Sequence, residues 1–138
     1  MTGKGGGSRL LRKEDDRYMR GRGQFIADIH LAGTKDIAFV RSPVAHARIR
    51  GVTIPDLHRG AVFTADDMAQ VKPISAVSGL PGFKISDQPA LATGKVRQVG
   101  ELVAMCLAES RAQAEDIAQS VVLELEELPA VHDMLEGR

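Results

Sequence analysis

The side chains able to do chemistry are few and scattered. The four histidines are His30, His46, His58 and His132, and none stands at the H-x-x-x-H or H-x-x-E-H spacing of a helical metal pair. One cysteine, Cys106, leaves no second thiolate for a metal set and no internal disulfide. It lies in the apolar run Leu102–Leu107 with no Lys or Arg beside it, so a buried, inert thiol is expected. His46 occupies Arg41-Ser-Pro-Val-Ala-His-Ala-Arg48, where no nucleophile or carboxylate partner can be nominated. It is expected instead to hydrogen-bond the turn between two strands. Asp66 and Asp67 are adjacent and point different ways, which suits a helix cap and dipole better than paired acid–base work. Arg17, Arg20 and Arg22 suit either a phosphate or the anchoring of an arm to a partner. Gly21-x-Gly23 lacks the third glycine of a dinucleotide fingerprint, and Met1–Ser8 lacks phosphate-loop spacing. No catalytic constellation emerges, and no metal or cofactor is expected on this chain alone.

The elements that position these groups are mostly short. A helical turn is expected at Asp15–Arg22 and a strand at Gln24–His30, closed by Gly33. Asp36–Arg41 is a continuous apolar run that reads as a buried strand ended by Ser42-Pro43. Ala47–Ile54 alternates Ala47 and Ile49 against Arg48 and Arg50, then shifts phase at Gly51, which predicts a β-bulge. Gly60–Thr64 reads as a further strand, after which Thr64 and Asp67 predict a capped helical turn. Residues 70–90 contain Pro73, Gly79, Pro81, Gly82 and Pro89 without periodicity, and read as a functional or subunit-contacting loop. Leu102–Leu107 should be a central strand buried on both faces. Ser110 with Gln113 caps a helix whose Ala114, Ile117, Ala118 and Val121 form an apolar stripe. Val121–Leu128 then alternates Leu123 and Leu125 against Glu124 and Glu126, a strand with one wet face. A strand–helix–strand unit over 102–128 predicts a right-handed crossover and an α/β or α+β class with a mixed sheet.

The chain has 138 residues, of which 43% are hydrophobic and 4% aromatic, enough for one core built from Val, Ile, Leu and Ala. No stretch is apolar enough to span a bilayer, and no secretory or twin-arginine signal is expected in this chain. The lone cysteine suits a cytoplasmic setting. Residues 1–22 carry seven Lys/Arg against three Asp/Glu, whereas nine acidic residues and two arginines follow from Glu101 onward. A basic arm and an acidic flank on a chain of formal net charge zero do not suit nucleic-acid binding.

Arg20-Gly-Arg-Gly-Gln-Phe-Ile-Ala-Asp28, Val40-Arg-Ser-Pro-Val-Ala-His-Ala-Arg-Ile49 and Lys95-Val-Arg-Gln-Val-Gly-Glu-Leu-Val-Ala104 occur in this order. Ala112-Gln-Ala-Glu-Asp116 and Leu125-Glu-Glu-Leu-Pro-Ala-Val131 follow. Together they resemble the opening domain of the molybdenum-binding subunit in the xanthine dehydrogenase/aldehyde oxidase/carbon monoxide dehydrogenase family, from about Arg9 to Asp133. The resemblance implies an α/β hammerhead at 9–133, preceded by a flexible Gly-rich stretch at 1–8 and followed by a tail at 134–138. It implies a hydroxylase or dehydrogenase containing molybdopterin with molybdenum, iron–sulfur clusters and usually FAD. The implied partners are the catalytic molybdenum-binding portion and the iron–sulfur and flavin subunits, with no nucleic acid and no membrane. The family's molybdopterin contacts and catalytic glutamate lie downstream, so no catalytic residue carries over. The loop before Lys95 implies Leu80, Phe83 and Ile85 as substrate-funnel candidates, although Gly79–Ile85 matches no family motif. The Pro55–Gly60 connection is shorter than in relatives. A stand-alone interaction or small-ligand module reusing the hammerhead is the competing reading.

Overall fold

The phase change at Gly51 is a real irregularity in the second strand. The computed structural model describes residues 12–136, so the Gly-rich stretch 1–8 lies outside the described residues. Strand β1 is Asp36–Arg41 and β2 is Ala47–Thr53. β2 pairs antiparallel with β8 (Val122–Glu127), and its register slips between Ile49 and Gly51. A Cβ on Gly51 would sit 3.0 Å from the Glu124 carboxylate, which itself accepts a 3.1 Å hydrogen bond from Thr53 Oγ1. The bulge therefore lets β2 keep Ala47 and Ile49 inward before it, and Val52 inward after it.

The remaining strands are β3 (Val62–Phe63), β4 (Ile74–Ser75), β5 (Asp87–Gln88), β6 (Lys95–Val96) and β7 (Leu102–Ala108). They form two three-stranded sheets, ordered β1-β7-β3 and β6-β2-β8, and a two-stranded β4-β5 ribbon. Every strand pair among the described residues is antiparallel. The α/β class and the strand–helix–strand unit hold, but the expected crossover within one mixed sheet does not. The helix α2 (Arg111–Ser120) carries the chain from one sheet to the other, so β7 and β8 are not sheet-mates. Helix α2 starts where expected, with Ser110 Oγ accepting from the Gln113 N–H at 3.4 Å. Ala114 and Val121 are buried, and Ile117 and Ala118 pack on the core.

Two apolar clusters form. One joins Val40, Val62, Ala104, Cys106 and Val121 beneath α2. The other joins Ala47, Ala92, Val96 and Val103. Strand β7 is central as expected, with Val103, Ala104 and Cys106 buried. β1 is not the buried strand its composition suggests. It is an edge strand in which Val40 alone is buried, because α2 covers one face and β7 one edge.

Three further segments bear on the expectations. Gln24–His30 is not a strand but a 3-10 turn over Ile26–Asp28, since the Asp28 carboxylate accepts the Phe25 N–H at 2.9 Å. The segment after Thr64 is capped by Asp67 as expected and continues as successive turns, with Met68 N–H on Ala65 O and Val71 N–H on Met68 O. Residues 70–90, expected as a long loop without periodicity, include a ribbon of two-residue strands, β4 and β5.

The described residues up to Thr34 and those from Lys35 onward are two separate compact units. In the first, helix α1 (Asp15–Met19) leads into Gly21 at φ +64°. Tyr18 stacks on Phe25 with ring centroids 5.8 Å apart. Gly23 permits that stack, since a Cβ there would lie 2.8 Å from Tyr18 Cδ1.

Val103 is fully enclosed in the second cluster. Val103→Ala should therefore lower stability by about 2 kcal/mol, read as a reduced urea midpoint at unchanged slope.

Candidate functional site

The β4-β5 ribbon presents the three funnel candidates. Ser75 Oγ donates to Asp87 Oδ1 at 2.6 Å, and the Ala76 N–H donates to Ser86 O at 3.0 Å, closing its base. At the tip, Leu80-Pro-Gly-Phe83 makes a turn closed by Phe83 N–H on Leu80 O at 3.2 Å. Pro81 supplies the fixed φ of the first corner and Gly82, at φ +79°, the left-handed second corner, which is type II chemistry. That turn brings Leu80 and Phe83 together, and Ile85 follows on the return arm. All three side chains are exposed, as are Ile74 and Val77. The tip is therefore an apolar projection rather than a formed pocket.

At the ribbon's base, Ser86, Asp87, Gln88, Arg97, Gln98 and Glu101 line a polar cleft of about 220 Å3. Glu101 is the buried charge there. Its carboxylate accepts the Arg97 backbone N–H and, at 3.1 Å, the Arg97 guanidinium. The Ser42 N–H donates to Glu101 O and the Gly100 N–H to Ser42 O, tying this turn to the β1–β2 connection. Sequence reading missed Glu101, although an acid directly ahead of the most apolar strand was a visible signal. Its bonds make it a clamp on the turn.

The other reactive residues are apart. His46 is half-buried, and its Nδ1 lies 2.8 Å from Pro129 O, so it donates there while its own carbonyl accepts the Leu128 N–H. It pairs as expected for a buried polar group, but with the chain after β8 and not with the local turn. Ser42 holds that turn, its hydroxyl bonding both ends of Val44. Cys106 is buried and desolvation pushes its thiol pKa up. Asp67 accepts the Thr64 N–H at 2.7 Å and the Thr64 hydroxyl at 3.0 Å, and these bonds hold its carboxyl below the usual range. Arg20 pairs with Asp16 at 2.8 Å, and Arg17 lies over the Tyr18 ring at 5.2 Å. Among the described residues no three His, Cys, Asp or Glu side chains converge as a metal set. No helix of the described residues is long and apolar enough to cross a membrane.

A family model for the aldehyde oxidase and xanthine dehydrogenase a/b hammerhead domain matches residues 20–129. The chain belongs to this hammerhead family. The hammerhead is 42% identical over 134 residues to the nicotine 6-hydroxylase large subunit of Paenarthrobacter nicotinovorans, covering 92% of this chain and 16% of that one. Among solved structures, quinoline 2-oxidoreductase from Pseudomonas putida 86 superposes with a TM-score of 0.86 at 43% identity, over 96% of this chain and 18% of that one. The Cu,Mo-CO dehydrogenase superposes with a TM-score of 0.83 at 30% identity, over 95% of this chain and 16% of that one. The hammerhead thus spans less than a fifth of the length of these relatives.

Two outcomes check these assignments. Cys106 should resist a thiol reagent at about pH 8 in the native chain and react on denaturation, because its reactive thiolate is disfavoured by burial. A folded Asp67 pKa below the unfolded value adds stability above the usual aspartate range and loses it as pH falls through the folded value. The gap in unfolding midpoint between wild type and Asp67→Ala should therefore narrow on acidification below about pH 4.

Proposed function

We propose that the chain supplies the hammerhead portion of a molybdopterin-dependent hydroxylase large subunit, with a structural and docking role rather than a catalytic one. The observation that carries this reading is the hammerhead match across residues 20–129 to proteins about six times as long. Among the described residues no three His, Cys, Asp or Glu side chains converge, which supports a molybdenum centre held by other segments. The complete enzyme would hold molybdopterin with molybdenum, iron–sulfur clusters and FAD on other segments or subunits, in a cytoplasmic setting. Within it, Leu80, Phe83 and Ile85 would line the entrance to the substrate funnel, because the type II turn projects them clear of both cores. Relatives named for nicotine and quinoline support an N-heteroaromatic substrate class, which an apolar, partly aromatic entrance suits.

Affinity purification of the tagged native protein should recover molybdenum in a particle well above 14.8 kDa, measured by native mass spectrometry and elemental analysis. A molybdenum-free particle of the chain alone would end this reading. In the complete enzyme, Phe83→Ala should raise KM for an N-heteroaromatic substrate by about 3- to 10-fold with kcat little changed, the pattern of lost uniform binding. An unchanged KM would remove Phe83 from the funnel.

A further inference from the structure

Glu101 and Ser42 are the two buried polar residues among those described, and Glu101, 8% exposed, is the charged one. They meet at the turn between β6 and β7. The Glu101 carboxylate accepts the Arg97 backbone N–H and one arm of its guanidinium, an arm that also donates to Lys95 O at 3.3 Å. Gly100, at φ +82°, turns the chain so that its N–H reaches Ser42 O at 2.8 Å while the Ser42 N–H reaches Glu101 O at 2.9 Å. The Arg41 guanidinium adds a 3.0 Å bond to Gly100 O. The end of β6, the start of β7 and the β1–β2 connection are thus held in one set of bonds. The next residue fastens the ribbon, because Leu102 O accepts the Ala92 N–H at 2.7 Å. From that point the return arm runs back through buried Ala92 and Leu91 to Pro89, whose ring fixes φ and keeps Gln88 extended. Ser86, Asp87 and Gln88 then face Arg97, Gln98 and Glu101 across the cleft of about 220 Å3.

We infer that Glu101 is a positioning residue for the β4-β5 ribbon: its bonds to Arg97 fix the 97–101 turn, and that turn sets the stance of Leu80, Phe83 and Ile85. The inference rests on the funnel role proposed above and names the group that holds the funnel's edge in place. Stability alone does not require a carboxylate here. Replacing a buried charge pair by apolar side chains is commonly neutral or stabilising, whereas removing one partner leaves the other without its match. What the pair supplies is direction, since both carboxylate oxygens are tied to one residue, Oε2 to the Arg97 backbone and Oε1 to its side chain. An amide at position 101 would keep the shape but lose the charge, and would set an N–H donor among donors. The turn then has to relax, and Leu102 O moves with it. The arm from Ala92 to Gln88 is short and stiffened by Pro89, so the displacement passes into the ribbon. Glu101 acts at the ribbon's base, and its effect therefore falls on substrate entry and not on the chemical step.

The test uses the native enzyme that contains this chain, with amide hydrogen exchange and steady-state kinetics as readouts. In Glu101→Gln, amides of 86–93 and 97–102 should exchange about 5-fold faster or more, while those of Ala47–Thr53 and Val122–Glu127 keep the wild-type rate. KM for an N-heteroaromatic substrate should rise about 3- to 10-fold, with kcat within about 2-fold of wild type. Arg97→Gln, at a half-exposed position, removes the guanidinium bond and leaves the backbone bond. A change of about 2-fold in the same segments is expected of it, and it decides the matter if Glu101→Gln fails to fold. Arg50→Gln breaks an exposed ion pair on another strand and should change neither readout. Unchanged exchange at 86–93 overturns the inference. Exchange raised equally in β2 and β8 also overturns it, by making Glu101 a general structural support. So does an unchanged KM in Glu101→Gln when Phe83→Ala raises KM. If neither variant changes KM, the funnel reading falls, and faster exchange confined to 86–93 and 97–102 still upholds the clamp on the ribbon.

Discussion

Strand β7 is the piece on which both cores depend. Ala104 and Cys106 point into the cluster beneath α2, and Val103 points into the cluster around Ala47 and Val96. Its two neighbours, β1 and β3, set the register that sends alternate residues to opposite sides. A one-residue slip would exchange the two sets, placing Met105 and Leu107 where small Ala104 and the compact thiol now fit. This explains why a reactive residue type sits where it cannot react. Cys106 serves there as a small, fully buried apolar side chain.

The elements legible in the sequence were those whose cause is local. The phase change at Gly51, the serine cap of α2 and the alternation of Leu123 and Leu125 each follow from a few neighbouring residues, and each stands in the structure. What was not legible depends on distant pairing. Asp87 pairs with Ser75 through a ribbon only two residues long per arm, too short for periodicity to register. Gln24–His30 has strand composition but finds no partner edge, so a local carboxylate bond wins. The division into two sheets was invisible for the same reason, because a helix between strands reads alike whether it returns to one sheet or crosses to another. For the site, the sequence could not reveal Glu101, whose burial arises from packing against the turn it clamps.

Part of the acidic charge from Glu101 onward is paired within the fold. Arg50 meets Glu126 across the β2–β8 pair, Arg97 meets Glu101, and Arg111 meets Glu115 along α2. The exposed pairs, Arg50–Glu126 and Arg111–Glu115, each add well under about 1 kcal/mol, so they select register and orientation more than they stabilise.

Both ends of the segment carrying the β4-β5 ribbon are fastened to one strand. Phe63 pairs with Met105 as the chain departs, and the Ala92 N–H bonds Leu102 O at 2.7 Å as it returns. The excursion between them is consequently a closed loop hung from β7, with its mouth held independently of its contents. Lengthening or shortening it costs only loop-closure entropy, about 0.6 kcal/mol per doubling, and disturbs neither core. The fold thus separates an invariant frame from a freely editable appendage, so the ribbon can be reshaped residue by residue without renegotiating the packing beneath it.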